Sequence, residues 1–211
     1  MLGSRSTYRL MAQPFSARKP ASCRSASHVT LLATDGDSMS VRAYTVGHGT
    51  RSAEELVEML RQAKVRTVVD VRRYPGSRRN PQFNQAALAG SLADAGIAYR
   101  HAEALGGRRS GEPGEDRFGC IRTAAFRSYA ARMSMPEWQA ALAGALQEPA
   151  PCFLCAETVW WRCHRRLIAE LLVARGHEVV HLLPRGAQPH TLSEDAEARE
   201  GRLYLCGELV V

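Results

Sequence analysis

The chain has 211 residues, of which 45% are apolar and 23% are charged, and its formal net charge is +7. This length suits one domain with a full hydrophobic core, and no apolar stretch approaches the roughly 18 residues that a transmembrane helix needs. The composition is ordinary for a globular protein and excludes a membrane-spanning one. We therefore expect a soluble, cytoplasmic protein that has no membrane partner.

The excess positive charge is concentrated near the amino terminus. Residues 1–34 contain five arginine or lysine residues and no acid, so 5 of the 7 excess charges lie there. Subtracting these five from the total of 28 leaves 23 basic against 21 acidic residues in the remainder. Because the remainder is nearly neutral, net charge alone gives no argument for nucleic-acid binding.

Residues 1–39 are rich in Ser, Arg and Ala and show neither helical nor strand periodicity. They lack the apolar core of a secretory signal peptide, although their basic composition is similar to that of an organellar transit peptide. We expect a disordered extension, which is either a targeting segment or a stretch upstream of a true start at Met39. Residues 40–211 are expected to form a single α/β domain.

Strand and helix patterns alternate along the rest of the chain. Short apolar or β-branched runs predict the main strands, which lie at residues 43–46, 67–71, 97–101, 152–154 and 178–183. Helical spacing of apolar residues predicts helices in the connections between them, two of which lie between the third and fourth strands. This alternation predicts an α/β three-layer sandwich, with a mostly parallel sheet of about five strands and helices on both faces.

Capping side chains and the carboxyl-terminal pattern complete the predicted elements. Three helix starts are marked by side chains that can cap them, namely Ser52 with Glu55, Asn84, and Thr191 with Glu194. The last of these predicts a short final helix. Residues 203–205 predict an edge strand that closes the sheet.

Polar residues follow three of the predicted strands at the points where the strands end. His48 follows the first strand, Asp70 and Arg72 end the second, and Cys155 and Glu157 end the fourth. Parallel strands end at the same edge of a sheet, and open α/β sheets bind their ligands there. We therefore expect these side chains to converge.

The densest group of reactive side chains lies in residues 155–166, at a turn from strand to helix. A helix N-terminus and adjacent arginines favour the thiolate form of a cysteine, so Cys163 is a candidate nucleophile with His164 or His48 as its acid or base. The alternative is that Cys163 is a small buried residue. A simple phosphate-binding cysteine loop is disfavoured, because it would need arginine where the chain has Ala169. The candidate catalytic residues are Cys163, His164, Cys155 and Glu157.

The same stretch contains side chains that could bind a metal. Cys152 and Cys155 have the two-residue gap of zinc ligands, but residues three apart in a strand point to opposite faces. We therefore predict no cofactor and assign no metal ligand, and we keep a divalent metal bound by the Cys and His residues as an alternative. Six cysteines with irregular spacing also argue against structural disulfides.

Arginine residues in several loops are candidates for anion binding, because a guanidinium group matches phosphate or carboxylate with two parallel hydrogen bonds. The alternative is a solvated surface, since 26 of the 28 basic residues of this chain are arginine. Trp161 could stack a nucleic-acid base, and Asp70 could hold Arg72 or His48 in place. The candidate substrate-binding residues are His48, Asp70, Arg72, Arg78, Arg79, Asn80, Arg108, Trp161 and Arg165.

The remaining polar aromatic residues are expected to have structural roles. A histidine beside or within a strand is more often a satisfied core residue than a ligand, and this applies to His101, His177 and His181. His190 precedes the predicted last helix and is expected to be a neighbour of its cap. Tyr129 lies among apolar residues of a helix and is expected to pack in the core.

Several motifs occur in a fixed order along the chain, namely Tyr44-Thr45-Val46-Gly47-His48, Asp70-Val71-Arg72, Leu105-Gly106-Gly107-Arg108, Phe126-Arg127-Ser128-Tyr129, Cys155-Ala156-Glu157 and Trp160-Trp161-Arg162-Cys163-His164-Arg165-Arg166. Together they resemble the domain-of-unknown-function family 488 over residues 44–205. The resemblance implies a single α/β domain and brings no established reaction.

The favoured function is an enzyme that acts on an anionic substrate, phosphorylated or nucleotide-like, through a Cys/His site at the carboxyl ends of the strands. One alternative is a non-catalytic nucleic-acid-binding module, and another is a metal-dependent enzyme that uses the same Cys and His residues. The expected partner is accordingly a small anionic ligand or a nucleic acid. The sequence does not predict an oligomeric state.

Overall fold

The computed structural model describes residues 40–107 and 116–211. The predicted extension over residues 1–39 lies outside the described residues, and so does the candidate binding residue Arg108. Within the described ranges, no helix has both the length and the apolar character that crossing a bilayer requires.

The described part of the chain contains nine strands and five α-helices. The first half consists of β1 (Arg42–Gly47), α1 (Ala53–Gln62), β2 (Thr67–Asp70), α2 (Gln85–Asp94) and β3 (Ala98–His101). The second half begins with α3 (Ala124–Arg132), α4 (Pro136–Leu146), β4 (Pro151–Cys155), α5 (Arg165–Ala174), β5 (Glu178–Leu183) and β6 (Gly186–Pro189). It ends with β7 (Ala196–Arg199), β8 (Arg202–Leu205) and β9 (Glu208–Leu209).

The main sheet has six strands in the order β3-β2-β4-β1-β5-β6. The first five of these strands run parallel to their neighbours, and β6 pairs antiparallel with β5. The predicted, mostly parallel α/β sheet is therefore confirmed. It has one strand more than expected, because the chain turns back after β5 and Gly186 pairs with Leu183.

Two hydrophobic clusters fill the spaces on either side of the main sheet. One joins α1 and α2 to side chains such as Val46 and Val68. The other joins α3, α4 and α5 to side chains such as Val69 and Phe153. Cys152 belongs to the first cluster and Cys155 packs against the second, so the predicted opposite orientation of these two thiols is confirmed.

The predicted caps in the first half of the chain differ in detail. At α1 the reciprocal capping box forms, since the Ser52 side chain accepts from the Glu55 N–H and the Glu55 carboxylate accepts from the Ser52 N–H. Asn84 stands at the N-cap position of α2, but its side chain makes no capping bond. Its Oδ1 accepts from the Ser77 N–H at 2.6 Å, so Asn84 fixes the preceding loop instead.

The predicted final helix at Thr191 and Glu194 is wrong. Residues 190–195 contain no helix, and the chain continues into a separate antiparallel sheet of three strands, β7-β8-β9. Residues 203–205 form the central strand of that sheet rather than the edge of the main one. Leu203 and Leu205 bury their side chains against the α5 side of the core.

Two tight turns explain why this segment forms hairpins. Glu200 and Gly201 both have positive φ angles of 50° and 73°, and Cys206 and Gly207 have 55° and 79°. Two consecutive left-handed residues with glycine second match the turn that fits the twist of an antiparallel pair. The turn signal was visible in the sequence as the pairs Glu200-Gly201 and Cys206-Gly207. These hairpin turns outweigh the helix-capping pattern of Thr191.

The expectation of no structural disulfide is also wrong. Cys120 and Cys206, which are 86 residues apart in the sequence, form a disulfide bond. It ties the segment before α3 to the turn between β8 and β9. Among the described residues, Cys152, Cys155 and Cys163 are free.

Gly47 at the end of β1 provides a test of how closely the loops after β1 and β4 pack. A Cβ atom on Gly47 would lie 1.8 Å from the main-chain oxygen of Glu157, so we expect Gly47→Ala to lower the free energy of unfolding by on the order of 3 kcal/mol. Gly90, in α2, has open space around its Cα. The matched variant Gly90→Ala should raise the free energy of unfolding by about 0.5–1 kcal/mol, because alanine favours the helix. Urea denaturation measures both values, and a neutral Gly47→Ala would contradict the close contact.

Candidate functional site

Three adjacent strands, β2, β4 and β1, bring the candidate residues to one edge of the sheet. The loops after β1 and β4 continue to pair beyond the strands, since the His48 N–H donates to the Cys155 carbonyl at 3.0 Å and Gly49 to Ala156 at 3.0 Å. Val71, directly after β2, donates to the Leu154 carbonyl at 2.9 Å. The polar residues after these three strands are therefore held together by main-chain hydrogen bonds.

Four buried or half-buried side chains, Cys155, Cys163, His164 and Arg165, form what we call the thiol centre. The two sulfur atoms and the nearer imidazole nitrogen lie within 4.8 Å of one another. His164 Nδ1 is 3.6 Å from Cys163 Sγ. A short 3-10 helix, Trp160–Arg162, turns the chain so that Cys163 lies immediately before α5.

The orientation of the His164 ring follows from its contacts. Its Nε2 lies 3.1 Å from the Val71 carbonyl oxygen, and since a carbonyl oxygen only accepts, Nε2 must carry a proton. In the neutral ring, Nδ1 then presents its lone pair towards Cys163. The main chain of Gly107 packs directly against this ring, because a Cβ atom there would lie 2.8 Å from Nδ1. Only glycine at position 107 leaves the ring in this place.

Arg165 is the buried cation of the thiol centre, with 1% of its surface exposed. Its Nε donates to Cys163 Sγ at 3.4 Å, its Nη1 to Thr45 Oγ1 at 3.3 Å and its Nη2 to the Glu157 carbonyl oxygen at 2.5 Å. Among residues 40–107 and 116–211, no carboxylate lies within ion-pair distance of this guanidinium group. The sulfur of Cys163 is thus the group that can supply a negative charge to it.

The two cysteines of the thiol centre differ in their acidity. The pKa of Cys163 is lowered well below its ordinary value, chiefly because Cys155 donates a hydrogen bond to its sulfur and also because of the nearby His164 and Arg165. The pKa of Cys155 is raised well above its ordinary value by the same hydrogen bond and by burial. Cys163 is therefore the more acidic thiol of the pair.

Asp70, Arg72 and His48 form a second buried unit at the same edge. Arg72 pairs with Asp70 through two parallel hydrogen bonds, Nε–Oδ1 at 2.8 Å and Nη2–Oδ2 at 2.5 Å. Its Nη1 donates to the Phe83 carbonyl at 2.8 Å and approaches His48 Nε2 at 3.4 Å. Asp70 also accepts from the Tyr99 hydroxyl at 2.8 Å. These donors and acceptors already have partners, so an anion would reach Arg72 only by displacing one of them.

His48 is a neutral base in this unit. Burial lowers its pKa to about 4, and the charges of Arg72 and Arg165 act in the same direction. Its Nδ1 faces the Gly49 carbonyl at 2.9 Å and must donate to it, which leaves Nε2 unprotonated. The ring stacks on Phe83 with 4.2 Å between centroids.

The other candidate residues lie on the surface of this edge. Exposed side chains belong to Arg78, Arg79, Trp161 and Glu157, whereas Asn80 is half-buried. Glu157 contributes to the thiol centre through its main-chain oxygen, and its carboxylate faces solvent. Tyr74, which is 65% exposed and lies in the same loop as Arg78, was not among the predicted site residues. The exposed side chains Tyr74, Arg78, Arg79, Trp161 and Arg162 are called the exposed rim below.

Two residues that contact the thiol centre were missed for different reasons. Thr45 is a hydroxyl residue among the otherwise apolar buried residues of β1, and its role as acceptor for Arg165 depends on contacts distant in sequence. Gly107 belongs to a Gly-Gly pair whose signal was visible, since glycine often marks close approach of the main chain. Tyr129, expected in the core, is buried there, and its hydroxyl donates to the Leu105 carbonyl at 2.8 Å.

Comparison with known proteins identifies a family and no activity. The family model for the domain of unknown function DUF488 matches residues 52–172, which is more than half of the chain. No curated protein and no solved structure matches the chain. The resemblance inferred from the sequence motifs is confirmed.

The low pKa of His48 predicts acid sensitivity. The unfolded chain protonates this imidazole near its ordinary pKa of about 6.5, whereas the folded protein does so only at about 4. The unfolded state therefore binds more protons between these values, and the free energy of unfolding should fall as the pH decreases from about 6.5 to about 4. The variant His48→Asn keeps a donor for Gly49 but does not titrate. Urea denaturation across this pH window should give a shallower slope for the variant, and equal slopes would contradict the assignment.

Proposed function

Since the chain belongs to the family of the domain of unknown function DUF488, a description that names no reaction, we propose its function from the thiol centre: an enzyme that attacks an anionic substrate with the Cys163 sulfur. The observation that supports this proposal best is the buried Arg165 guanidinium, which donates to Cys163 Sγ and has no carboxylate partner among the described residues. A buried charge without a counter-charge is strongly unfavourable. A thiolate at Cys163 removes that imbalance.

The other residues of the thiol centre have distinct roles in this proposal. Cys155 donates a hydrogen bond that stabilises the thiolate, and His164 Nδ1 accepts the proton that the Cys163 thiol loses. The Cys163 sulfur donates an electron pair to an electrophilic atom of the substrate, and the bond to the leaving group breaks. A protonated His164 then supplies the proton that the leaving group needs. Glu157 supports the site through its main-chain oxygen.

The exposed rim supports an anionic, nucleotide-like substrate. Arg78, Arg79 and Arg162 are exposed and can bind phosphate, whereas Arg72 already has a carboxylate partner. Tyr74 and Trp161 are exposed aromatic side chains that follow β2 and β4, which are neighbours in the sheet. Aromatic rings of this kind stack on bases. A small nucleotide and a nucleic-acid strand both present phosphates and bases to such side chains. Binding of a strand without reaction corresponds to the alternative of a non-catalytic binding module.

We place this chemistry in the cytoplasm, where the thiol pool keeps cysteines such as Cys155 and Cys163 reduced. The Cys120–Cys206 disulfide favours an oxidising compartment instead. Mass mapping of the cysteines in freshly lysed cells decides between the two.

The ionisation of Cys163 tests the proposed function directly. A thiolate absorbs in the ultraviolet, so a pH titration of the absorbance shows the ionisation of Cys163 as a transition that is present in the wild type and absent in Cys163→Ala. The midpoint of that transition is the pKa of Cys163. This measurement needs no reagent to reach the buried sulfur. We expect a pKa below the ordinary value of about 8.5. Arg165→Gln should raise that pKa by about one unit or more, because the cation beside the sulfur is lost.

The matched control is Arg162→Gln, which removes an exposed arginine three residues earlier in the chain. It should leave the pKa of Cys163 unchanged. An ordinary pKa in the wild type, or equal effects of the two arginine variants, would rule out the nucleophile.

A metal-dependent enzyme is the second candidate function. The sulfur atoms of Cys155 and Cys163 and the lone pair of His164 Nδ1 are close enough together to bind one thiophilic cation such as Zn²⁺. The proton on His164 Nε2 is bound to a carbonyl, as is usual for a histidine ligand. Against this, the Arg165 guanidinium contacts Cys163 Sγ and would repel a dication.

Elemental analysis of the protein purified without chelator decides between these candidates. We expect less than stoichiometric zinc, because the Arg165 charge opposes metal binding, and we expect chelators to leave the ultraviolet absorbance of Cys163 unchanged. One zinc per chain, lost in Cys163→Ala and retained in the Cys152→Ala control, would replace the nucleophile with the metal-dependent candidate.

A further inference from the structure

A line of buried polar side chains begins at the Nη1 atom of Arg165. It consists of Thr45 in β1, His181 in β5, His190 after β6 and Glu170 in α5, which we call the buried relay. All four residues are at least nine-tenths buried, with exposures of 0%, 1%, 6% and 0%. From the sequence, the two histidines were expected to have structural roles.

The contacts along the buried relay are continuous. Arg165 Nη1 lies 3.3 Å from Thr45 Oγ1, and Thr45 Oγ1 lies 2.7 Å from His181 Nδ1. His181 Nε2 lies 3.0 Å from His190 Nδ1, and His190 Nε2 lies 3.3 Å from Glu170 Oε2. The last contact is not aligned as a hydrogen bond, so it is an electrostatic contact between the His190 ring and the Glu170 carboxylate. The register of the sheet creates the second contact, since Thr45 and His181 are direct partners in β1 and β5.

The two ends of the buried relay determine the direction of every hydrogen bond in it. A guanidinium group only donates, so Thr45 Oγ1 accepts from Arg165, and with His181 Nδ1 unprotonated the Thr45 hydroxyl donates its own proton to that nitrogen. His181 then carries its proton on Nε2 and donates to His190 Nδ1. His190 carries its proton on Nε2, which faces the Glu170 carboxylate. With both imidazoles neutral, the donors and acceptors match in one direction.

Neighbouring groups hold the relay in this state. Burial lowers the pKa of His181 to about 3, so its ring is neutral at physiological pH. The Trp160 ring covers His181, with 4.3 Å between centroids and 7° between planes. The Glu170 carboxylate accepts from the Ser193 hydroxyl at 2.5 Å and from Arg166 Nε at 3.4 Å. The far end of the relay is thus fixed on α5.

We propose that Thr45, His181, His190 and Glu170 are positioning residues that hold the Arg165 guanidinium against the Cys163 sulfur. The proposal rests on the proposed function, because it takes Cys163 as the reacting thiolate. The Thr45 hydroxyl has one proton and donates it to His181, which turns a lone pair of Oγ1 towards Arg165. Without that acceptor, the guanidinium group can rotate, and its Nε contact with Cys163 Sγ loosens.

Thr45→Val tests the proposal, because valine keeps the shape of threonine and removes the hydroxyl. We expect it to raise the pKa of Cys163, read from thiolate absorbance, by about half a unit or more, which is a roughly threefold change in the thiolate equilibrium. Thr45→Ser restores the hydroxyl and should return the pKa to its wild-type value. This rescue distinguishes hydrogen bonding from packing.

Thr67→Val is the matched control. Thr67 is a buried threonine of β2 on the same face of the sheet, and its hydroxyl has no hydrogen-bond partner in the described structure. This variant should leave the pKa of Cys163 unchanged. A rise equal to that of Thr45→Val would overturn the proposal, because loss of any buried hydroxyl would then suffice.

His181→Phe tests the next step along the relay and keeps a ring beneath Trp160. It should raise the pKa of Cys163 in the same direction, and the double variant with Thr45→Val should add nothing further, since both changes break one path. Additive effects would overturn the relay. Should Thr45→Val fail to fold, His181→Phe provides the same test alone.

The outcomes separate this proposal from the proposed function. A wild-type Cys163 with an ordinary pKa removes the proposed nucleophile and leaves the relay nothing to position. A low wild-type pKa that neither Thr45→Val nor His181→Phe changes supports the nucleophile and overturns the relay. A low pKa that rises in both variants, with Thr67→Val unchanged, supports both.

Discussion

The site depends on one buried positive charge. Arg165 lies beneath the surface without a carboxylate partner in the part of the chain described, so other groups must balance its charge. The Cys163 sulfur, the Glu157 carbonyl and the Thr45 hydroxyl each accept one of its hydrogen bonds. These three acceptors come from the start of α5, from the loop after β4 and from β1. One guanidinium group thus links a helix, a loop and a strand, and its charge adds to the lowering of the pKa of Cys163, for which the hydrogen bond from Cys155 is the chief cause.

A comparison of the two buried arginines at this edge shows what determines their roles. Arg72 forms a bidentate ion pair with Asp70, so its charge is neutralised and its geometry is fixed. Arg165 has the same side chain but only neutral acceptors and a sulfur. Residue type and location after a strand gave both residues the same predicted role in anion binding. The carboxylate of Asp70 gives Arg72 a structural role at the site. Arg165 has no such partner among the described residues, so its charge affects the chemistry of the site.

Much of the fold could be predicted because it depends on local patterns. Apolar runs and helical spacing place the five parallel strands and their helices, and the thiol centre is predictable where its members are neighbours in sequence, as Cys163, His164 and Arg165 are. The contact of Thr45 with His181 depends on the register between β1 and β5, which a single sequence does not encode visibly. The Cys120–Cys206 pair is hidden for the same reason, since 86 residues separate its members. The hairpins after His190 were missed because two X-Gly turns outweigh a capping pattern.

The strand order has a consequence for how the protein emerges from the ribosome. β4 lies between β1 and β2, so these two strands are joined in one sheet only after residues 151–155 have been synthesised. A nascent chain that ends before this point cannot close its sheet, and its β1 and β2 edges remain open to chaperones or to other chains. The strand that joins the two halves of the sheet also leads into the thiol centre. The thiol centre therefore forms only after β4 and the start of α5 have been synthesised.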